Sequence, residues 1–235
     1  MATPLVVSEV AKSFTMHLRD GIRLPVVENV GFSVKAGECV VLGGPSGIGK
    51  SSLLKMVYGN YGVDAGQILV EHEGQFVDLA GADPRTVLAV RRVTLGYVSQ
   101  FLRVVPRVAA LDVVAEPLLA RGAIPAVARE RAEEMLARLN LPRELWQLPP
   151  ATFSGGEQQR VNIARGFITD HRILLLDEPT ASLDARNREV VVGMIEEKKR
   201  AGVALLGIFH DDDVRAKVAD SIVDVSAFSP RKAAA

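Results

Sequence analysis

Along this chain, short apolar runs alternate with longer stretches whose apolar residues recur every three or four positions, as in a protein of alternating strands and helices. Runs of strand length are Leu5–Val10, Val26–Val34, Cys39–Leu42, Gln67–Glu71, Thr94–Val98, Ile173–Leu176, Val203–Phe209 and Ser221–Val225. The early runs are joined by Gly-containing connections and predict antiparallel pairing. The later ones are separated by helical stretches and predict the parallel strands of a doubly wound sheet. From about residue 102 to 168 the strand signal fades. Within Ala126–Leu141, residues Ala128, Ala132, Met135, Leu136 and Leu139 fall at helical spacing with Arg and Glu between them. Pro149 and Pro150 then interrupt the chain before the next helix. The economical reading is one α/β domain, residues 1–235, with a helical lobe at about 102–168 inserted into a core of 1–101 and 169–235. No internal repeat is visible.

Composition narrows this picture. A chain of 235 residues, 48% hydrophobic and 24% charged, can bury a core without disulfide or metal staples and does not read as disordered. Its 28 basic residues balance 28 acidic ones, which argues against a nucleic-acid or general polyanion binder while leaving room for a local basic patch. A single cysteine, Cys39, cannot form an intramolecular disulfide and fits a reducing compartment. The segment Met1–Glu9 lacks the basic and apolar regions of a signal peptide, and no run approaches the ~18 apolar residues of a spanning helix. The expectation is a cytoplasmic protein without direct membrane insertion, with a frayed tail at Arg231–Ala235.

The chemistry begins at Gly44-Pro45-Ser46-Gly47-Ile48-Gly49-Lys50-Ser51-Ser52, which satisfies G-x-x-x-x-G-K-[ST] at every fixed position. An apolar strand, Cys39–Leu42, runs in and a predicted helix, Ser51–Tyr58, runs out. Glycines let backbone N–H groups converge on one cavity, and the helix N-terminus adds a favourable partial charge for phosphate. In this loop Lys50 would reach the β- and γ-phosphates of a nucleotide and Ser51 would ligate Mg²⁺. A matching acid pair lies downstream, where Ile173–Leu176 ends in Asp177 and Glu178 before Pro179. Asp177 can hold Mg²⁺, directly or through water, and Glu178 can polarise an attacking water as general base. Either feature alone also reads blandly, as a Gly-rich turn or a capped core strand; together they point to a P-loop NTPase.

Between them stands Phe153-Ser154-Gly155-Gly156-Glu157-Gln158-Gln159-Arg160. Ser154 and Glu157 form a capping box at a helix start. Capping leaves the glycine pair unexplained, because each glycine costs a helix about 1 kcal/mol relative to alanine. A pair here suits an anion approaching the backbone.

With these residues in this order, the chain resembles the ATP-binding-cassette (ABC) ATPases over essentially its whole length. Ser154–Gln158 looks like the family's signature, Gln100 like its Q-loop and a metal-facing glutamine, and Ser182-Leu183-Asp184 like its D-loop. His210 looks like its switch histidine and Phe14 like the aromatic that stacks on adenine. The resemblance implies a P-loop NTPase fold, a RecA-like mixed sheet core with an antiparallel region, carrying an inserted helical subdomain. It implies ATP and Mg²⁺ as ligands and hydrolysis to ADP and phosphate. Nucleotide contacts would include Ser154, Gly155, Gly156, Glu157 and Asp184 from a second cassette, most simply in a head-to-tail homodimer. Asp211 is also placed to cap the next helix. His17, His72 and His171 lack comparable context and read as surface or packing residues.

The strings Ser99–Arg107, Ser154–Ile168, Gly207–Asp211 and Gly37–Leu42 are further similar to the L-subunit ATPase of the carbon–phosphorus lyase system of phosphonate degradation. That resemblance implies partnership with the lyase core complex and a sister ABC ATPase. One cysteine cannot ligate an iron–sulfur cluster, so this chain's own chemistry would be ATP hydrolysis. Arg103, Arg107 and neighbouring apolar groups read either as a docking face or as plain lobe surface. The rival readings are a transporter cassette of the lipoprotein-release or macrolide-export type and, from another class, a small-molecule P-loop kinase.

Overall fold

The computed structural model describes residues 2–16, 21–103 and 106–230. Position 17, the tail 231–235, and positions 104 and 105 of the 99–107 string lie outside the described residues.

In chain order the elements are strands β1 (Leu5–Met16), β2 (Ile22–Val34) and β3 (Cys39–Gly43), helix α1 (Lys50–Val57), strands β4 (Ala65–His72) and β5 (Gln75–Asp78), helix α2 (Pro84–Val93) and strand β6 (Leu95–Val98). Helices α3 (Ala110–Ala120), α4 (Pro125–Arg138) and α5 (Gly155–Phe167) follow, then β7 (Ile173–Asp177), α6 (Ala185–Arg200), β8 (Ala204–Ile208), α7 (Asp212–Val218) and β9 (Ser221–Asp224). They form the expected sheet core and antiparallel region as two sheets. The first is antiparallel, in the order β2-β1-β4-β5; the second is parallel, in the order β6-β7-β8-β3-β9.

The two sheets differ because their strands differ. Along β1, Leu5, Val7 and Val10 are buried while intervening residues are not, the alternation of a sheet with one wet face, interrupted by a register shift between Val7 and Val10 where Glu9 stands at φ 53°. Strands β3, β7 and β8 are apolar at nearly every position because both faces are covered. Val40, Leu42, Ile173, Leu175, Leu206 and Ile208 pack toward α1 and the antiparallel sheet. Cys39, Val41, Leu174, Leu176 and Leu205 pack on the other side, in one core with α3–α7.

Three differences from the sequence pattern have local causes. Strands β1 and β2 run past the apolar segments, because Lys12, Ser13 and Thr15 continue the ladder against Val27, Pro25 and Arg23 on polar positions. Strand β5 escaped notice because Gln-Phe-Val-Asp has little periodicity; Glu73 and Gly74, at φ 50° and 82°, turn the chain directly out of β4 in a two-residue hairpin. Helix α1 starts at Lys50 rather than Ser51, since Gly49 at φ 110° is its first non-helical residue.

The helices between β6 and β7 bury the predicted positions Ala128, Ala132, Leu136 and Leu139, with Met135 packed at the edge. They share their core with the outer face of the parallel sheet, which fixes the start of α5 relative to the strand ends. Gly166 is required there: a Cβ would run into the side chain of Val98. Among the described residues no helix is long and apolar enough to cross a membrane.

Cys39 is fully buried in β3, and burial pushes its thiol up to about 12. A thiol reagent at neutral pH should therefore label the protein in denaturant and leave it unlabelled in native buffer. Rapid labelling of the native protein would show that β3 opens.

Candidate active site

In a parallel sheet the C-terminal ends of neighbouring strands are where ligands are held. Here four adjacent strands, β6, β7, β8 and β3, deliver four different segments to that edge. They are Ser99–Gln100, Asp177–Glu178, His210 and the loop Gly44–Gly49. Ser51 and Asp177, 126 positions apart in the chain, meet at this edge.

The loop between β3 and α1 is shaped for an anion. Gly44 and Gly49 sit at φ 115° and 110°, and a Cβ on Gly49 would approach Val26 Cγ1 to 2.8 Å. Helix α1 has no side-chain cap and no acidic residue in its first turn, so its leading N–H groups carry their partial charge toward the loop. The buried Lys50 ammonium donates to the carbonyls of Gly44 at 2.7 Å and Pro45 at 2.9 Å, which places it across the mouth of the loop.

The two acids take different surroundings. Asp177 is 2% exposed and accepts from Ser51 Oγ at 3.1 Å on one oxygen and from Tyr97 OH at 2.8 Å on the other. Ser51 and Asp177 thus present adjacent oxygen donors, the ligand type Mg²⁺ takes, and the residues present fit that ion. When bound, the cation would neutralise phosphate charge. Glu178 stands at φ 52°, a left-handed conformation uncommon for a residue with a Cβ. Its carboxylate bridges Gln100 Nε2 at 3.0 Å and His210 Nε2 at 2.7 Å, while its N–H donates to Ile208 O at 3.1 Å. Gln100 is thus hydrogen-bonded to Glu178, and it also lines a common groove with Asp177. Asp211 caps α7, accepting from Asp213 N at 3.0 Å and Val214 N at 3.1 Å, and pairs with Arg188.

Ser154 caps α5 in the predicted box: its N–H donates to Glu157 Oε2 at 2.8 Å and its Oγ accepts from Glu157 N at 3.4 Å. The Ser154 hydroxyl, donating to Glu157 Oε2 at 2.8 Å, and after it the Ser154 N–H hold the Glu157 carboxyl below its ordinary range. The glycine pair divides into two roles. Gly155 faces open space, whereas a Cβ on Gly156 would approach the Ser182 carbonyl to 2.9 Å. An approaching anion thus accounts for at most one of the two; the other is fixed by packing inside the chain. Asp184 caps α6 by accepting from Asn187 N at 2.8 Å. Among the described residues no hydrogen bond joins Ser154–Glu157 or Asp184 to the loop Gly44–Ser52.

Phe14 lies on β1, edge-on to Tyr61 with ring centroids 5.3 Å apart and Lys12 Nζ 5.4 Å from its centroid. His171 is a packing residue whose imidazole burial pushes down to about 4, and His72 hydrogen-bonds Thr94 Oγ1 at 2.7 Å. Arg103 lines a groove of about 290 Å³ between the sheet edge and the helices, together with Arg91, Arg121, Arg165 and Glu116. Tyr97 is the site residue that the sequence reading missed. Its signal was a phenol in a strand of otherwise apolar or small residues, where a buried hydroxyl requires a partner.

Residues 27–181 match the family model described as ABC transporter. The chain is 39% identical over 203 residues to the lipoprotein-releasing system ATP-binding protein LolD of Maricaulis maris, covering 86% of each. It is 37% identical over 198 residues to the Fe(3+) ions import ATP-binding protein FbpC 1 of Rhizobium meliloti, covering 84% of this chain and 53% of that one. Among solved structures, the dimeric post-hydrolysis state of the ATP-binding cassette MJ0796 with ADP and Pi superposes with a TM-score of 0.84 at 27% identity, over 94% of each chain.

The division between the two glycines can be measured. Gly156→Ala should destabilise the fold by about 1–3 kcal/mol, because the α6-side backbone at Ser182 must shift. Gly155→Ala should leave stability equal or raise it by up to about 1 kcal/mol. Equal melting temperatures for the two variants would refute the division.

Proposed function

The chain belongs to the ABC transporter family and is an ATPase, and from that premise we propose that two copies close head to tail over two ATP molecules. The observation carrying this reading is the capped N-terminus of α5, open at Gly155 and unconnected by hydrogen bonds to the phosphate loop of its own chain. A dimeric solved relative supports it. In the proposed pair, Ser154, Gly155, Gly156, Glu157 and Asp184 of one copy contact the nucleotide held by Gly44–Ser52 of the other, with Phe14 against the adenine. Lys50 binds the β- and γ-phosphates, and Ser51 and Asp177 hold Mg²⁺. Glu178 accepts a proton from the attacking water, while His210 and Gln100, both bonded to its carboxylate, orient it.

What the cassette drives is a finer question. The comparisons favour a membrane transporter of the lipoprotein-release type, since the LolD relative matches over nearly its full length; they lend no support to the carbon–phosphorus lyase role. Identity of nearly the same size to an iron-import cassette means that this level of similarity names a motor rather than a cargo. The lyase reading stands second, on its local strings at 37–42, 99–107, 154–168 and 207–211 alone. The family match gives the kinase reading no support. In either reading the partner docks beside Arg103 and Arg107.

Two measurements test these statements. Glu178→Gln should cut turnover about 10²–10⁴-fold and leave an ATP-bound dimer visible by size exclusion; wild-type turnover would remove Glu178 from the chemistry. A tagged chain drawn from phosphonate-grown cells, with and without ATP, should bring down a membrane permease. Recovery of lyase subunits without a permease would reverse the order of the two partner readings.

A further inference from the structure

Asp177 is held by two hydroxyls, and only one belongs to the phosphate loop. Ser51 Oγ, at 3.1 Å, engages Oδ1; Tyr97 OH, at 2.8 Å, engages Oδ2. Because Asp177 is almost wholly buried, no bulk water stands ready to replace either. A carboxylate turns easily about its last torsion. Anchoring Oδ2 leaves Oδ1 on the Ser51 side, where the cation's oxygen ligands gather.

The anchor is itself held. Tyr97 lies on β6, paired in register with Leu175 of the adjacent strand β7, two residues before Asp177. Its ring packs on that of Tyr58, the residue closing α1, with centroids 4.8 Å apart and planes tilted by 33°. The Arg91 guanidinium of α2 lies 4.3 Å from the Tyr58 ring centroid and is fixed by bonds to Tyr58 O and Asn60 Oδ1, each 2.8 Å. A continuous series of contacts therefore runs from α2 through two aromatic rings to the carboxylate.

We infer that Tyr97 is a positioning residue for Asp177, selecting which carboxylate oxygen meets the cation, and that the Arg91–Tyr58 stack keeps its ring in place. This rests on Asp177 being the Mg²⁺ carboxylate. Tyr97→Phe deletes the hydroxyl and keeps the ring, while the contacts of Arg91 are to Tyr58 and Asn60 and none is to Asp177.

The test uses Mn²⁺ as a spectroscopic probe, titrated into the full chain with ATP and read by electron paramagnetic resonance, alongside calorimetric ATP binding in EDTA. Tyr97→Phe should bind ATP in EDTA as wild type does yet bind Mn²⁺ about 10-fold more weakly, the scale of lost outer contacts to a metal ligand. Arg91→Gln should weaken Mn²⁺ in the same direction and by less. Asp177→Asn, as reference, should lose the ATP-dependent Mn²⁺ site. Wild-type Mn²⁺ affinity in Tyr97→Phe, with the site lost in Asp177→Asn, overturns the role of Tyr97 alone. Wild-type affinity in Asp177→Asn overturns the metal reading beneath it. Should Tyr97→Phe fail to fold by circular dichroism, wild-type Mn²⁺ affinity in Arg91→Gln overturns the inference and weakened affinity supports it.

Discussion

A carboxylate buried at the end of an apolar strand sets the terms for everything around it. Asp177 closes the run Ile173–Leu176 inside a sheet covered on both faces, where an unpaired charge costs several kcal/mol. Hydroxyls from two different elements meet that cost, Ser51 from α1 and Tyr97 from β6. Each donor fixes a piece of architecture. Ser51 requires α1 to start directly beneath the strand end, hence the tight Gly44–Gly49 loop. Tyr97 requires β6 to be the neighbour of β7, hence the long helical excursion that separates them in sequence. One residue later, the chain must leave the sheet sharply enough to aim Glu178 at Gln100 and His210, and it does so through a left-handed turn at φ 52°.

The same edge binds the helices to the chemistry. From α5, Asn162 Nδ2 donates to Ser99 O beside Gln100, and Gln159 Nε2 donates to Pro179 O at 2.9 Å beside Glu178. Gly156 packs against Ser182 O in the connection to α6. Three residues of one helix, within less than two turns, thus touch the segments that follow β6 and β7. Since those helices share a core with the sheet, a partner that displaced α5 would act through packed contacts on the backbone on both sides of Glu178. The polar bonds act directionally, while the apolar core resists compression.

How much of this was legible depended on whether the determinant was local. The phosphate loop, the acid pair, the capping box and Asp211 as a cap are each set within a few residues, so spacing alone conveyed them. Strand β5 was invisible because its pairing comes from a hairpin turn rather than from its own side chains. The glycine pair was read as one device, since nothing in the string Gly155-Gly156 says that a carbonyl 26 residues further on occupies the space beside the second. Tyr97 was missed for the same reason: its partner lies across a strand pair that only the folded sheet creates. The partner protein was least legible, because the side chains that would recognise it belong to a surface, and the core and site motifs constrain surfaces little.

The balance of 28 basic and 28 acidic residues argues against a general polyanion binder, yet the proposed ligand is a triphosphate, and the reconciliation is geometric. The loop answers anionic charge with backbone N–H groups, one lysine and a helix start without acids, none of which needs a net positive chain. Within one copy, Glu178 already has Gln100 and His210, and Asp177 already has Ser51 and Tyr97. The acid side of the site is therefore assembled before any second copy arrives. In the proposed pair the second copy contributes Ser154 and the open backbone at the start of α5, together with Glu157 and Asp184, two acids already engaged in capping α5 and α6. In that proposed pair the nucleotide is held by both copies at once, so it would be the contact that closes the pair and its cleavage the event that removes that contact.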